Sequence, residues 1–462
     1  MGPTEALARF AVEMDGEALA PDVRHAAWRA LLDCLGVALA GSVEDVGRII
    51  TEQALSQGGE PEAVIWGNGA RTSAQHAALA NGTAAHALDY DDTNNSIPGH
   101  PSVPVLPAAL AMGERVGASG AAVLAAFVAG VEAECKLGLY TGQDWYDLGW
   151  HPTSVTGVVG AAVAAGRLAR LDVDQMRQAI GLAVAQASGI RQNFGTMAKP
   201  FHVGRAAQAG VLAVELVRRD FSASSIVLEG PAGFWDVFGH APGRDPDTFA
   251  DSLGNPFDLL SPGINFKAYP CCASTHPGID AALACAGGLT EPDVRSAVVD
   301  VPYTAPLILI HHRPAMPLEA RFSLEYTVAA ALLDGAVTLT HFNPDAVARP
   351  DLQALLRRID YRVPDEWRKG AGELNMGQAR VEVQLADGSV RRAQVAAPRG
   401  SAANPLSDAE LEAKFLDCAA LALGTGGARR ALDLVRDLES LTDVRALTAA
   451  LAAPAAAARS PG

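Results

Sequence analysis

The sequence predicts a mainly α protein: a large all-helical domain built from both chain ends, plus a smaller α+β domain. Three observations lead there. Alanine-rich stretches with apolar residues at helical spacing recur through the first 265 residues. Near 265 the texture changes to valine-rich alternation. After Asn404-Pro405 a helical pattern returns, opened by Ser407-Asp-Ala-Glu410, which reads as a capping box. The expected divisions are a first helical part at 1–265, an α+β part at 266–400, a helical return at 401–452 and a disordered tail at 453–462.

The elements follow in order. Pro21-Asp22-Val23-Arg24-His25 opens a helix with Ala27, Leu31, Leu32 and Leu35 at helical spacing. Residues 74–87 read as a second helix, and 104–117, 119–134, 155–170, 174–188 and 205–219 repeat the pattern. Their small side chains allow close helix approach. The apolar run 121–131 is too short to span a bilayer and reads as a core helix. Residues 295–303 alternate and are rich in valine, which predicts a strand. Residues 379–385 and 389–396 flank Ala386-Asp387-Gly388, a hairpin signal. Helices at 276–287, 322–334 and 350–358 lie among these strands.

Composition bounds the function. The 462 residues are 49% hydrophobic and 19% charged, as expected of a globular protein with a large core. A net charge of -16 argues against nucleic acid or an anionic membrane as partner. It leaves room for an anionic small substrate in a locally basic pocket. Lysine is rare: Lys136, Lys199, Lys267, Lys369 and Lys414. A lysine inside a polar motif therefore carries weight. Cys34, Cys135, Cys271, Cys272, Cys285 and Cys418 show neither a CxxC pair nor iron–sulfur spacing. Reduced thiols and a cytoplasmic location are expected, since the first residues lack a basic stretch leading into an apolar one.

The polar residues gather in a few segments. His86-Ala-Leu-Asp89-Tyr-Asp91-Asp92-Thr93, then Gly99-His100-Pro101-Ser102, sits where a helix gives way to a loop between buried helices. Charge is costly there unless it is used. Carboxylates beside His100 suit acid–base work, because they orient and tune an imidazole. Two other readings apply to the same aspartates. They can cap helices and brace the loop, or Asp91, Asp92 and Asn95 can hold a divalent metal in a DDxxN pattern. The metal pattern wants an aromatic cavity and a second motif, and aromatic residues make up only 6% of the chain.

Gly149-Trp150-His151-Pro152-Thr153 places His151 at the mouth of an apolar helix, where exposed backbone N–H groups attract anions. A polar cap is the plain alternative. Arg191 to Gly204 concentrates Arg191, Lys199 and His202 in an irregular segment between helices. It reads as a carboxylate clamp or as a solvated loop. Lys267-Ala-Tyr-Pro-Cys271-Cys272-Ala-Ser-Thr-His276 is an extended piece turning into a helix, with His276 in the first turn. Arg321-Phe-Ser-Leu-Glu-Tyr326 opens a further helix with a phenol and a guanidinium.

In this order, together with Gly-Thr-Met-Ala-Lys199-Pro-Phe-His and Leu228-Glu-Gly-Pro-Ala-Gly-Phe234, these segments resemble the MmgE/PrpD family over essentially the whole chain. Its known members include 2-methylcitrate dehydratase, cis-aconitate decarboxylase and iminodisuccinate epimerase. The resemblance implies that the α+β part is a lid, that the protein is a homodimer, and that no metal or organic cofactor takes part. It implies a lyase acting on a small di- or tricarboxylate through an enolate-like intermediate, by dehydration or decarboxylation. An epimerase of an aminated dicarboxylate is the alternative. Residues carried over are Asp89, Thr93, His100, His151, Lys199, His276 and Tyr326. The linker Asn94-Asn95-Ser96-Ile97-Pro98-Gly99 before His100 is longer than in the family pattern.

On that reading His100, His151, Lys199, Asp89 and Tyr326 are catalytic. Thr93, Asp91, Asp92, His276, Lys267, Arg191 and His202 bind substrate. Two other classes stand beside it. One is a metal-dependent lyase using Asp91 and Asp92. The other is a non-catalytic binding protein on the same fold, against which stands the complete set of histidines with Lys199 and Tyr326.

Overall fold

Helix-forming alanine and leucine dominate the first part of the chain, and small residues decide how its helices cross. In the computed structural model, which describes residues 1–142, 144–368 and 377–452, helices Gly120–Thr141 and Pro152–Leu168 are buried on nearly every side. A helix apolar all round belongs in the centre of a large unit. The two meet at Gly130 and Gly160, where an added Cβ would lie 2.7 or 2.8 Å from the other glycine's carbonyl oxygen. Helices Ala74–Ala85 and Ala198–Val217 cross just as closely. A Cβ on Gly204 would come within 2.4 Å of Leu79 O. That crossing sets the end of the first helix beside the start of the second.

The chain divides into two units. The first comprises the described residues of 1–192, 198–264 and 407–452. Its return helix, Asp408–Arg436, opens on a capping box between Ser407 and Glu410 and packs along Pro21–Ser42. Gly36 admits Phe415 to that seam. A short antiparallel pair, β1 (Ala63–Val64) and β2 (Arg71–Thr72), also belongs here and escapes the sequence pattern. The expected tail, 453–462, lies outside the described residues.

The second unit comprises 193–197 and the described residues of 265–406. Its sheet contains β3 (Val294–Asp300), β4 (Ile359–Arg362), β5 (Ala379–Leu385) and β6 (Val390–Val395), in the order β4-β3-β5-β6. β3 and β4 are parallel, and the other pairs are antiparallel. Along β5 the side chains Ala379, Val381, Val383 and Leu385 are buried, the period of two that covers one face. Helix His276–Ala286 packs on β5, β6 and helix Leu324–Asp334. Among the described residues no single helix is long and apolar enough to cross a membrane.

Candidate active site

The polar cluster forms where helix Ala74–Ala85 stops. His86 is its C-cap, and the chain then turns through Asp89 at φ +50°. Left-handed backbone is uncommon outside glycine, and aspartate is among the residues that adopt it. The turn is held from the return helix. Lys414 Nζ lies 2.6 Å from Asp33 Oδ1, donates to Tyr90 O at 2.8 Å, and sits over the Tyr90 ring.

The neighbouring aspartates have different partners. Asp92 caps the next helix, Ser102–Val116: its Oδ2 accepts from Ser102 Oγ at 2.5 Å and its Oδ1 from Ser102 N at 3.3 Å. Burial, with Asp33 nearby, raises its pKa well above the usual carboxylate range. Asp91 is fully buried and faces two imidazoles. His86 Nδ1 donates to Asp91 Oδ2 at 2.8 Å, and His100 Nδ1 lies 2.9 Å from the same oxygen. Burial alone would raise the Asp91 pKa. His100 and His86 outweigh it and hold the carboxylate well below its usual range. An ionised carboxylate favours the proton on Nδ1 of each ring, which leaves each Nε2 as the acceptor nitrogen, that of His86 being buried. His86 itself is lowered to about 3, chiefly by burial.

Lys199 enters from the first turn of Ala198–Val217. Its Nζ lies 2.5 Å from Asp89 Oδ1, and His100 Nε2 lies 3.7 Å from that oxygen. His151, the N-cap of Pro152–Leu168, stacks against His86 with ring centroids 5.8 Å apart. Its Nδ1 lies 3.2 Å from His202 Nδ1. Burial, then Lys199, lowers the pKa of both rings, His202 to about 4. So one unit brings together Asp89, Asp91, His100, His151, Lys199 and His202, plus His86, which the expected substrate-binding and catalytic set omits. Thr93 follows the aspartates and is half-buried. Arg191 lies on a short 3-10 turn, its N–H donating to Gly149 O at 2.8 Å and its guanidinium 5.1 Å from the centre of the Tyr146 ring.

The longer linker is a closed, pinned turn. Asn94 and Gly99 form an antiparallel bridge, and Asn94 Nδ2 donates to the carbonyls of Asp258 and Gly263. Ser96 Oγ donates to Asp258 Oδ1 at 2.5 Å, and Lys136 Nζ lies 2.7 Å from Asp258 Oδ2. Glu132 accepts from Gly254 N and Asp258 N, both at 2.8 Å. This buried network seats the turn that leads into His100. No local pattern in the sequence announces it.

Lys267, His276, Arg321 and Tyr326 belong to the second unit and are buried there. Arg321 Nη1 donates to Pro270 O at 2.5 Å, and Cys272 N donates to Arg321 O at 3.0 Å, tying the extended segment to the start of the later helix. His276 Nε2 lies 3.2 Å from Cys271 O. The Tyr326 hydroxyl donates to His341 O at 2.5 Å.

One ligand atom each from His86, Asp89, Asp91 and His100 can be chosen so that all lie within 4.8 Å of one another, a donor set of the kind that holds a divalent cation. Lys199 already places a positive charge on Asp89 in the same volume. The DDxxN pattern is not assembled: Asp91 faces histidines, Asp92 caps a helix and Asn95 is exposed.

A buried lysine held by one aspartate, beside imidazoles fixed by another, defines a class of protein that can neutralise a small anion and move a proton. Comparison with known families narrows the class. The MmgE/PrpD N-terminal domain matches residues 5–246 and the MmgE/PrpD C-terminal domain matches 269–440, and the chain belongs to this family. It is similar to the cis-aconitate decarboxylase of Homo sapiens, 29% identical over 92% of this chain and 89% of the relative. The enzyme of that name from Mus musculus is 29% identical over 92% and 88%. That from Aspergillus terreus is 26% identical over 98% and 96%.

Proposed function

We propose that this protein is a cofactor-independent lyase for a small polycarboxylate, with decarboxylation of a cis-aconitate-type tricarboxylate as its reaction. The relatives support a lyase of the MmgE/PrpD type. The observation that carries the chemistry is the buried contact of Lys199 with Asp89, 3.7 Å from His100 Nε2.

Loss of CO₂ breaks a C–C bond and leaves its electron pair on the substrate. In a conjugated tricarboxylate that pair spreads into an enolate whose charge ends on a carboxylate oxygen. One carbon then takes a proton. A catalyst gains by stabilising that charge more than the ground state. Lys199 is assigned to it, as a cation held ready in a buried site. His100, with Nδ1 against Asp91, presents Nε2 beside Asp89. Asp91 fixes the ring's orientation and tautomer. His100 or His151 carries the proton, worth roughly 10²–10⁴-fold. The resemblance also implies a carboxylate-binding role for His276. A cytoplasmic homodimer belongs to the same proposal.

The test is an NMR assay of EDTA-treated protein in D₂O with cis-aconitate, 2-methylcitrate, citrate and iminodisuccinate. CO₂ release from cis-aconitate, with one deuterium in the product, supports the proposal. Loss of water alone makes the protein a dehydratase. Deuterium at a retained stereocentre of iminodisuccinate makes it an epimerase. Activity abolished by the chelator and restored by a divalent metal overturns the cofactor-free reading.

A further inference from the structure

Decarboxylation consumes a proton. The departing CO₂ leaves a carbanion equivalent, and the new C–H bond takes one proton per turnover. A buried acid must therefore be reloaded from water after every cycle. His151 is only 2% exposed. We infer that His202 reloads it: His202 passes a proton through the contact between the two Nδ1 atoms to His151, which delivers it to the substrate. The inference rests on the decarboxylase reading above.

The geometry of the pair carries it. The Nδ1 atoms are 3.2 Å apart, so one bears the proton and the other accepts. His202 lies three residues after Lys199 on helix Ala198–Val217, which puts both on one helix face. It is half-buried, whereas His151 is enclosed. The approach is built into the backbone. Gly189, at φ +113°, accepts from His151 N at 3.0 Å, and a Cβ there would lie 3.3 Å from His202 Cγ. Ser154 Oγ donates to His202 O at 3.1 Å, fixing the second ring's main chain. Burial keeps both rings neutral, so they pair as donor and acceptor and do not repel as two cations.

The step balances. In one concerted move His151 gives the proton on its outer nitrogen to the enolate carbon, its Nδ1 takes the Nδ1 proton of His202, and His202 takes a proton from solvent at Nε2, so neither ring becomes an anion. A turn of both rings resets the tautomers. No redox partner is needed.

His202 acts through His151, so the test separates proton transfer from structure. CO₂ release from cis-aconitate is followed at steady state with wild type, His202→Gln and His202→Ala, in H₂O, D₂O and mixtures of the two. In both variants kcat falls by roughly tenfold or more, and added imidazole restores kcat in His202→Ala. In wild type kcat bends with the deuterium fraction, because more than one proton moves in the step, and in the variants the dependence becomes linear. Wild-type rates in both variants overturn the relay. So does a rise in KM alone, which would leave His202 with substrate binding only. Wild type that releases no CO₂ overturns the decarboxylase reading and the relay together, whereas the other failures spare that reading.

Discussion

Lys199 and Asp89, 110 residues apart, meet inside one unit with Nζ 2.5 Å from Oδ1 and both side chains almost wholly buried. Pairing makes that burial tolerable, and removal of one partner leaves the other charge uncompensated. The contact joins the end of one helix to the start of another, and the glycine-lined crossing of those helices brings them into register.

Asp91 is the shared support of two imidazoles, so its loss disturbs both. Asp91→Asn offers one amide oxygen and an N–H pair where an anion stood. The predicted result is a fall in kcat of roughly 10²-fold or more, with His100 no longer held with its proton on Nδ1. Steady-state kinetics on the folded variant check this. An unchanged kcat would remove Asp91 from the mechanism.

The helix ends that carry the site are legible in the sequence. The alanine periodicity stops at His86, Pro152 marks the start of the helix behind His151, and Ser407 with Glu410 reads directly as a cap. The pairings are not legible, because a contact between Lys199 and Asp89 or Lys136 and Asp258 leaves no local periodicity. Asp91 and Asp92 are identical neighbours in a loop, and only the fold shows that one faces histidines and the other caps a helix. β4, Ile359–Arg362, is too short and mixed for an alternating pattern to stand out, as are the two-residue strands β1 and β2.

His86 gives a pH dependence with a definite sign. Its pKa is lowered from the usual imidazole value to about 3, so between pH 3 and the ordinary value the unfolded chain binds a proton that the folded one refuses. The stability it contributes is present at neutral pH and is lost as pH falls through that window. The stability gap between wild type and His86→Gln should therefore change by about 1.4 kcal/mol per pH unit there, wild type losing ground on acidification. Urea unfolding at several pH values measures it. A gap independent of pH would contradict a neutral, buried His86.

Lys136 pins the turn before His100 through Asp258. Lys136→Met leaves Asp258 and Glu132 buried without their cation. The expected loss is about 3–5 kcal/mol of stability. Thermal and urea unfolding test this. A loss under about 1 kcal/mol would mean that the network does not brace the turn.

Tyr326 gives its hydroxyl proton to His341 O. Tyr326→Phe leaves that carbonyl without its donor, at an expected cost of about 1–3 kcal/mol. The catalytic role that the resemblance implies for the phenol predicts a fall in kcat of roughly tenfold or more as well, and a folded variant with unchanged kcat would leave Tyr326 a structural donor only.

The central claim is that Lys199 neutralises charge developing on the substrate, and kcat of Lys199→Ala on cis-aconitate tests it most directly. The variant should stay folded by circular dichroism and lose at least ~10²-fold in kcat. A folded Lys199→Ala protein with near-wild-type kcat would contradict the account.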